Sequence, residues 1–177
     1  MIALVTRPAP GDDLVTTAGA PDQDRDVPSE AGSVAAVFVK PRKGTPVVPV
    51  AQLQCVEGLG IAGDANAAAG SPRQVLLVSA EAAAGLGLAA GALWENVTTT
   101  GLDVDRLAPG TRVQIGSSAQ VVLTEVCEPC RVIGRATGVP LRRLVGRRGV
   151  LGQVVAGGTV TPGDAVRVLE GGEGDGH

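Results

Sequence analysis

Apolar residues come in short bursts along this chain, and glycine or proline interrupts nearly every one of them. Ser33 to Val39 reads as a strand, closed by the turn-forming stretch Lys40-Pro41-Arg42-Lys43-Gly44. Val47 to Val56 is β-prone, and Pro49 within it calls for an edge position or a bulge because proline cannot donate to the ladder. Glu57 to Asp64, spaced by Gly58, Gly60 and Gly63, reads as loop, which Ala65 to Pro72 continues without periodicity. Gln74 to Val78 is a short buried strand. Ser79 can cap the helix that follows, with Glu81 in its first turn, where acidic charge suits the free amides. Alanines and leucines carry that helix to Ala90, and Gly91 stops it; Gly85 and Gly87 weaken it, so its stability must come from packing.

Glu95 to Thr100 reads as loop leading into a strand, and from there the pattern is β. Thr111 to Ile115 alternates, Gly116-Ser117-Ser118 turns, and Ala119 to Val126 is a strand. Cys130 to Thr137 and Leu141 to Val145 are short helical pieces separated by Gly138 and Pro140. Gly149 to Val155 and Ala165 to Leu169 are further strands, with Thr159-Val160 between two turns. Many short strands with one main short helix predict a mostly β, compact barrel-like domain over residues 33–169. Residues 1–32, rich in proline and aspartate, bury too little apolar surface to offset their ordering and are expected to form a flexible arm. Residues 170–177 form a polar tail.

Composition narrows the function. The 177 residues allow one ordinary core, and at 44% hydrophobic and 19% charged the chain can pack one. Trp94 and Phe38 are the only aromatic residues, which removes base-stacking platforms, and a net charge of -3 argues against nonspecific nucleic-acid binding. No run of 18 uncharged apolar residues and no leader pattern occurs, so a membrane role is not expected and the cytoplasm is the expected compartment. Three cysteines, an odd number, suit a reducing setting better than a disulfide scaffold.

The chemistry concentrates in Thr124-Glu125-Val126-Cys127-Glu128-Pro129-Cys130-Arg131. A cysteine acts through its thiolate, whose population rises beside cations and at helix starts. Arg131, Arg135, Arg142, Arg143, Arg147 and Arg148 follow Cys130, a local excess that suits a phosphate-bearing ligand, although a solvated face reads equally from charge alone. The Cys127–Cys130 spacing also fits a redox pair or half of a zinc site, but a second half is missing, since Cys55 is distant and the single histidine is His177. Inert cysteines are the remaining alternative. Asp64 ends the glycine-spaced loop as a site residue or a turn cap, and Glu95-Asn96 is either loop hydrogen bonding or a site wall.

Taken in order, the motifs resemble the MOSC domain, named for the C-terminal part of molybdenum cofactor sulfurase. They are Gly58-Leu59-Gly60-Ile61-Ala62-Gly63-Asp64, Arg73-Gln74-Val75-Leu76-Leu77 leading to Glu81, and Trp94-Glu95-Asn96-Val97-Thr98-Thr99-Thr100-Gly101. Leu107-Ala108-Pro109-Gly110 with Ile115-Gly116, Glu128-Pro129-Cys130, Arg148-Gly149-Val150, and Gly157-Gly158 with Gly163-Asp164 complete the series. The resemblance is to a free-standing small member and implies a β-barrel with a cleft whose key thiol is Cys130. In the family that thiol carries sulfur as a persulfide or ligates molybdenum in a bound pterin cofactor. Cys127 would assist it, Asn96, Glu95, Arg73 and Asp64 would line or support the cleft, and Arg131 and Arg148 would contact anions.

Two departures point away from an ordinary molybdopterin site and toward plain sulfur handling. Where the family commonly continues with a basic residue and a histidine, this chain reads Ala65-Asn66-Ala67-Ala68-Ala69, and the often basic position three before the cysteine is Cys127. The resemblance therefore implies a sulfur carrier or sulfurtransferase with a separate donor such as a cysteine desulfurase and no pyridoxal phosphate site of its own. Its acceptor would be an anionic metabolite or a molybdenum-pterin cofactor. The alternatives are a molybdopterin-binding module or oxidoreductase component, with Cys130 as molybdenum ligand, and a non-catalytic accessory domain.

Overall fold

The computed structural model describes residues 30–170, so residues 1–29 of the expected arm and most of the tail lie outside the described residues, while Ala31 and Gly32, read as the end of the arm, pair with the last strand as part of the first one. Strand β1 (Ala31–Val39) organises the rest. Its start pairs with the last strand, β11 (Ala165–Leu169), and its middle with β6 (Val97–Thr100), with an irregularity between Val34 and Ala36. Its end pairs with the two-residue β2 (Val48–Pro49), where Pro49 sits on the edge strand as its missing donor requires. The circuit then runs through β7 (Arg112–Ile115), β8 (Ala119–Val126), β9 (Val150–Ala156) and β5 (Val75–Ser79) in the order β11-β7-β8-β9-β5-β6-β1. The β1–β11 pairing closes these seven strands into a barrel. A small second sheet joins β3 (Leu53–Val56), β4 (Gly60–Ile61) and β10 (Gly158–Val160), so the loop read over residues 57–64 contains a short strand.

Among the described strands only β5 and β6 run parallel, and α1 (Ala80–Gly85) links them. Ser79 caps this helix, accepting from the Ala82 amide at 3.3 Å. The helix stops at Gly85 rather than at Ala90: Gly87 takes φ +74°, a left-handed conformation that glycine adopts without steric cost. The longest helix is instead α2 (Arg131–Thr137), with seven residues, followed by α3 (Leu141–Leu144). The β-rich barrel with a few short helices agrees with the sequence reading.

Two apolar clusters hold the structure. Val37, Leu53, Leu77, Ile115, Leu123 and Val154 are among the buried residues of the larger one. The second contains Leu76, Val78, Leu93, Ile133, Leu144 and Cys127, and it ties all three helices to the barrel wall. Strand β5 serves both, with Val75 and Leu77 in one cluster and Leu76 and Val78 in the other, which is why its apolar run is continuous. Helices this short are not stable alone. Full burial of Ile133 and Leu144, at about 1.5–3 kcal/mol each relative to exposure, seats α2 and α3.

Candidate functional site

The end of β1, the start of β6, the approach to β5 and the β8–α2 connection meet at one wall, and Asn96 is the joint. Its carboxamide nitrogen donates to Asp64 Oδ2 at 2.8 Å and to the Phe38 carbonyl at 3.2 Å, while Oδ1 accepts from the Leu76 amide at 3.1 Å. Asp64 accepts in turn from the Lys40 and Asn66 amides at 2.7 and 2.8 Å. Both side chains are buried, and their polar atoms face chain segments, so they fix the wall from behind. Glu95 is also fully buried, with Oε1 accepting from the Gly91 amide at 2.6 Å and the Thr98 hydroxyl at 2.8 Å; its Oε2 has no hydrogen-bond partner. Gln74 pins the 57–70 loop by donating to the Gly58 and Ala68 carbonyls and accepting from the Val154 amide.

In front of this wall lies a cleft of about 400 Å³ lined by Lys40, Lys43, Asn66, Arg73, Cys127 and Arg148, among others. Four of these carry positive charge, and the lining includes no carboxylate. Arg73 is oriented by Glu125, at 3.2 Å, on the solvent side. Arg148 Nη1 donates to Cys127 Sγ at 2.7 Å and to the Glu128 carbonyl at 3.1 Å, binding the β8–α2 connection to the start of β9. Gly149 makes this possible: its φ is +89°, and an added Cβ would collide with the Leu77 carbonyl oxygen. Lys40 also lies 5.7 Å above the Trp94 ring, within cation–π range.

The three thiols are free and differ in character. Cys55 is buried in the barrel cluster, and burial pushes its thiol up to about 11. Burial also raises Cys127 above the ordinary thiol value, against the opposing pull of Arg148, Arg73 and Lys40. Cys130 is exposed at the N-cap of α2 and shifts the other way: the amides of Ile133 and Val132, with Arg148 nearby, lower it despite some desolvation. Burial lowers the Lys40 ammonium as well; Asp64, Cys127 and Cys130 pull it up, while Arg148 adds to the fall.

Of the residues singled out in the sequence, Cys127, Arg73 and Arg148 face the cleft together. Asp64 and Asn96 support it, and Glu95 braces the segment leading to β6. Arg131 does not join Arg148; it lines a separate shallow groove between α2 and α3. Lys40 and Lys43 were not singled out as site residues, since they read as the turn closing β1, although their position directly after a strand was visible. No group of three or more histidine, cysteine or acidic residues suited to a metal occurs among the described residues, and none of their helices is long and apolar enough to cross a membrane.

A mostly β, closed barrel is the architecture the motif order implied, but the thiol in the cleft lining is Cys127, and Cys130 stands outside that lining. The family model for the MOSC domain matches residues 64–167, and the chain belongs to that family. Among solved structures, the YuaD protein from Bacillus subtilis shares 22% identity with a TM-score of 0.68, over 78% of this chain and 95% of that one. YiiM from Escherichia coli shares 18% identity with a TM-score of 0.63, over 80% and 71% of the two chains. YiiM from Geobacillus stearothermophilus shares 19% identity with a TM-score of 0.63, over 81% and 77%. At these identities the likeness shows the fold. No curated protein matches. Family membership supports a general role in sulfur transfer or molybdenum-cofactor chemistry.

Proposed function

We propose that this chain is a sulfurtransferase-like sulfur carrier in which Cys130 holds the transferred sulfur and the adjacent cleft holds an anionic acceptor. The observation that carries the reading is the pairing of an exposed thiol of lowered pKa with a cleft lined by Lys40, Lys43, Arg73 and Arg148. The Cys130 thiolate attacks the outer sulfur of a donor persulfide, R–S–SH. The donor S–S bond breaks, its electron pair leaves on the donor thiolate, and Cys130 becomes the persulfide. A nucleophilic acceptor then attacks that outer sulfur, and Cys130 departs as a thiolate. Both steps move sulfur without net oxidation, so no redox cofactor is required. A protein donor such as a cysteine desulfurase fits, because the thiol stands in the open.

Cys127 is a reserve nucleophile. Its attack on the Cys130 persulfide would release sulfide and leave a Cys127–Cys130 disulfide, which a dithiol reductant must reopen. The raised pKa keeps this drain slow, because a neutral thiol attacks poorly.

A molybdopterin-binding role is favoured by the same cationic lining, whose ammonium and guanidinium groups fit the phosphate of a pterin cofactor. Lys40, Lys43, Arg73 and Arg148 would hold that phosphate, and a thiol, Cys130 or the cleft-facing Cys127, would be the sulfur offered to molybdenum. Such a cofactor would supply oxygen-atom or sulfur-atom exchange at the metal. Metal and pterin analysis of anaerobically purified protein separates the two readings: stoichiometric molybdenum and pterin support the second, and a metal-free protein that accepts persulfide sulfur supports the first.

A further inference from the structure

The arginine-rich segment is only partly absorbed by the cleft. Between Pro129 and Arg148 the chain holds six arginines and no acidic residue, within a protein whose net charge is -3. Arg131, Arg135, Arg142, Arg143 and Arg147 are exposed, and none of the five forms an ion pair among the described residues. Interleaved with them are apolar side chains left in solvent: Val132 at 52%, Leu141 at 37% and Val145 at 60% exposure. Helix α2 spends its one buried residue, Ile133, and α3 its one, Leu144, on holding to the barrel, so their outer faces are unpartnered. Gly134 lets Leu141 lie close, since a Cβ there would come within 2.9 Å of Leu141 Cδ2. The result is a shallow groove of about 350 Å³ lined by Arg131, Arg135, Gly138, Val139, Pro140 and Leu141. It begins one residue from the Cys130 thiol.

We propose that the α2–α3 face is the docking surface for the protein that delivers sulfur to Cys130, and that this partner presents a carboxylate-rich ridge with an apolar crest. The inference rests on the sulfur-carrier reading and adds to it the recognition surface. An apolar centre rimmed by arginines has the anatomy of a protein interface, where guanidinium groups, weakly hydrated and planar, pair with carboxylates as water is excluded. Uncompensated positive charge beside the thiol also speeds encounter with an acidic partner. A nucleic acid fits less well, because Val132, Leu141 and Val145 offer its phosphates nothing and residues 129–148 hold no aromatic side chain for stacking. A lipid surface fits less well too, because helices of seven and four residues make a poor amphipathic anchor.

The test compares two routes of loading. Wild type and the double variant Arg135→Glu/Arg142→Glu receive sulfur from a purified cysteine desulfurase with cysteine, or from inorganic polysulfide, and persulfide on Cys130 is followed by mass spectrometry at low and high salt. Neither residue lines the cleft; the single Arg142→Glu variant serves if the double one does not fold. The expected result is loading from the desulfurase slowed by about tenfold or more in the variant, with its salt dependence lost, while polysulfide loading changes by less than about twofold. Equal desulfurase rates in the two proteins, or wild type loaded by polysulfide but not by the desulfurase, would overturn the docking proposal and leave the carrier reading standing. Wild type loaded by neither route would overturn both. Faster polysulfide loading in the variant would mean that acidic residues of this chain, such as Asp12, Asp13, Asp22, Asp24 and Asp26, cover the face instead. Cosedimentation of wild type, but not variant, with phosphatidylglycerol vesicles would make it a lipid-facing surface. Either result contradicts the proposal.

Discussion

Arg148 points its guanidinium at the sulfur of Cys127, with Nη1 2.7 Å from Sγ. The contact ties the first residue after β8 to the segment that leads into β9, and it sets the sulfur and a cation side by side on one wall. Because burial still holds Cys127 above the ordinary thiol value, Arg148 polarises a thiol there and does not create a strong nucleophile. The thiol shifted the other way is Cys130, three residues on, where helix amides lower the pKa of an exposed group.

Arg148 and Arg131 should therefore separate. Arg148→Gln is expected to weaken binding of an anion such as sulfate or a pterin phosphate by about three- to tenfold at low salt and to flatten the salt dependence. Arg131→Gln, on the groove outside the cleft, should leave both unchanged. Calorimetric titration at two salt concentrations checks this, and equal effects of the two substitutions would place both arginines on one ordinary charged surface.

Asn96 should behave as a structural joint. Asn96→Ala strands the Leu76 amide and the Phe38 carbonyl, leaves Asp64 Oδ2 with the Lys40 amide alone, and should cost about 2–4 kcal/mol of stability. Denaturant unfolding measures the cost. A stability loss near zero with abolished sulfur acceptance would instead mean that the carboxamide faces substrate.

Asp105 carries the clearest pH signature. Burial, with the Asp103 charge adding to it, raises its carboxyl to about 6, and the nearby Gly149 amide offsets part of the rise. Above the unfolded value of 3.8 the folded state binds this proton more tightly than the unfolded chain does. Stability from this group is full near pH 4 and falls as pH rises through about 6. Asp105→Asn should be more stable than wild type at pH 7, by at most about 3 kcal/mol, with the difference shrinking toward pH 4. Melting curves at several pH values report it, and parallel pH profiles for the two proteins would contradict the assignment.

Much of this architecture was legible because glycine and proline punctuate it. Strand β8 was readable residue for residue from Ala119 to Val126, and α2 and α3 to within a residue at one end each, because Gly138 and Pro140 separate them. The early end of α1 was not, because alanines and leucines continue past Gly85 and only the tertiary path of the chain makes Gly87 turn left-handed. Cys127, Arg73 and Arg148 were legible as site residues from their types and motif positions. Lys40 was not, since a lysine ending a strand looks like a solvated turn until β5, β9 and the β8–α2 connection fold beside it. Arg131 and Arg148 looked equivalent in sequence, and α2 turns one of them toward a different groove.

The proposed function depends on which sulfur carries the load. Protein reduced and then treated with a persulfide donor under anaerobic conditions, followed by peptide mass spectrometry of Cys55, Cys127 and Cys130, answers it directly. The added sulfur should appear on Cys130 and be lost in Cys130→Ser with little change in stability. Cys127→Ser should still load and should hold its persulfide several-fold longer, because the slow release of sulfide needs that second thiol. Persulfide on Cys127 with none on Cys130, or no modified cysteine under conditions that load a control thiol, would contradict the account.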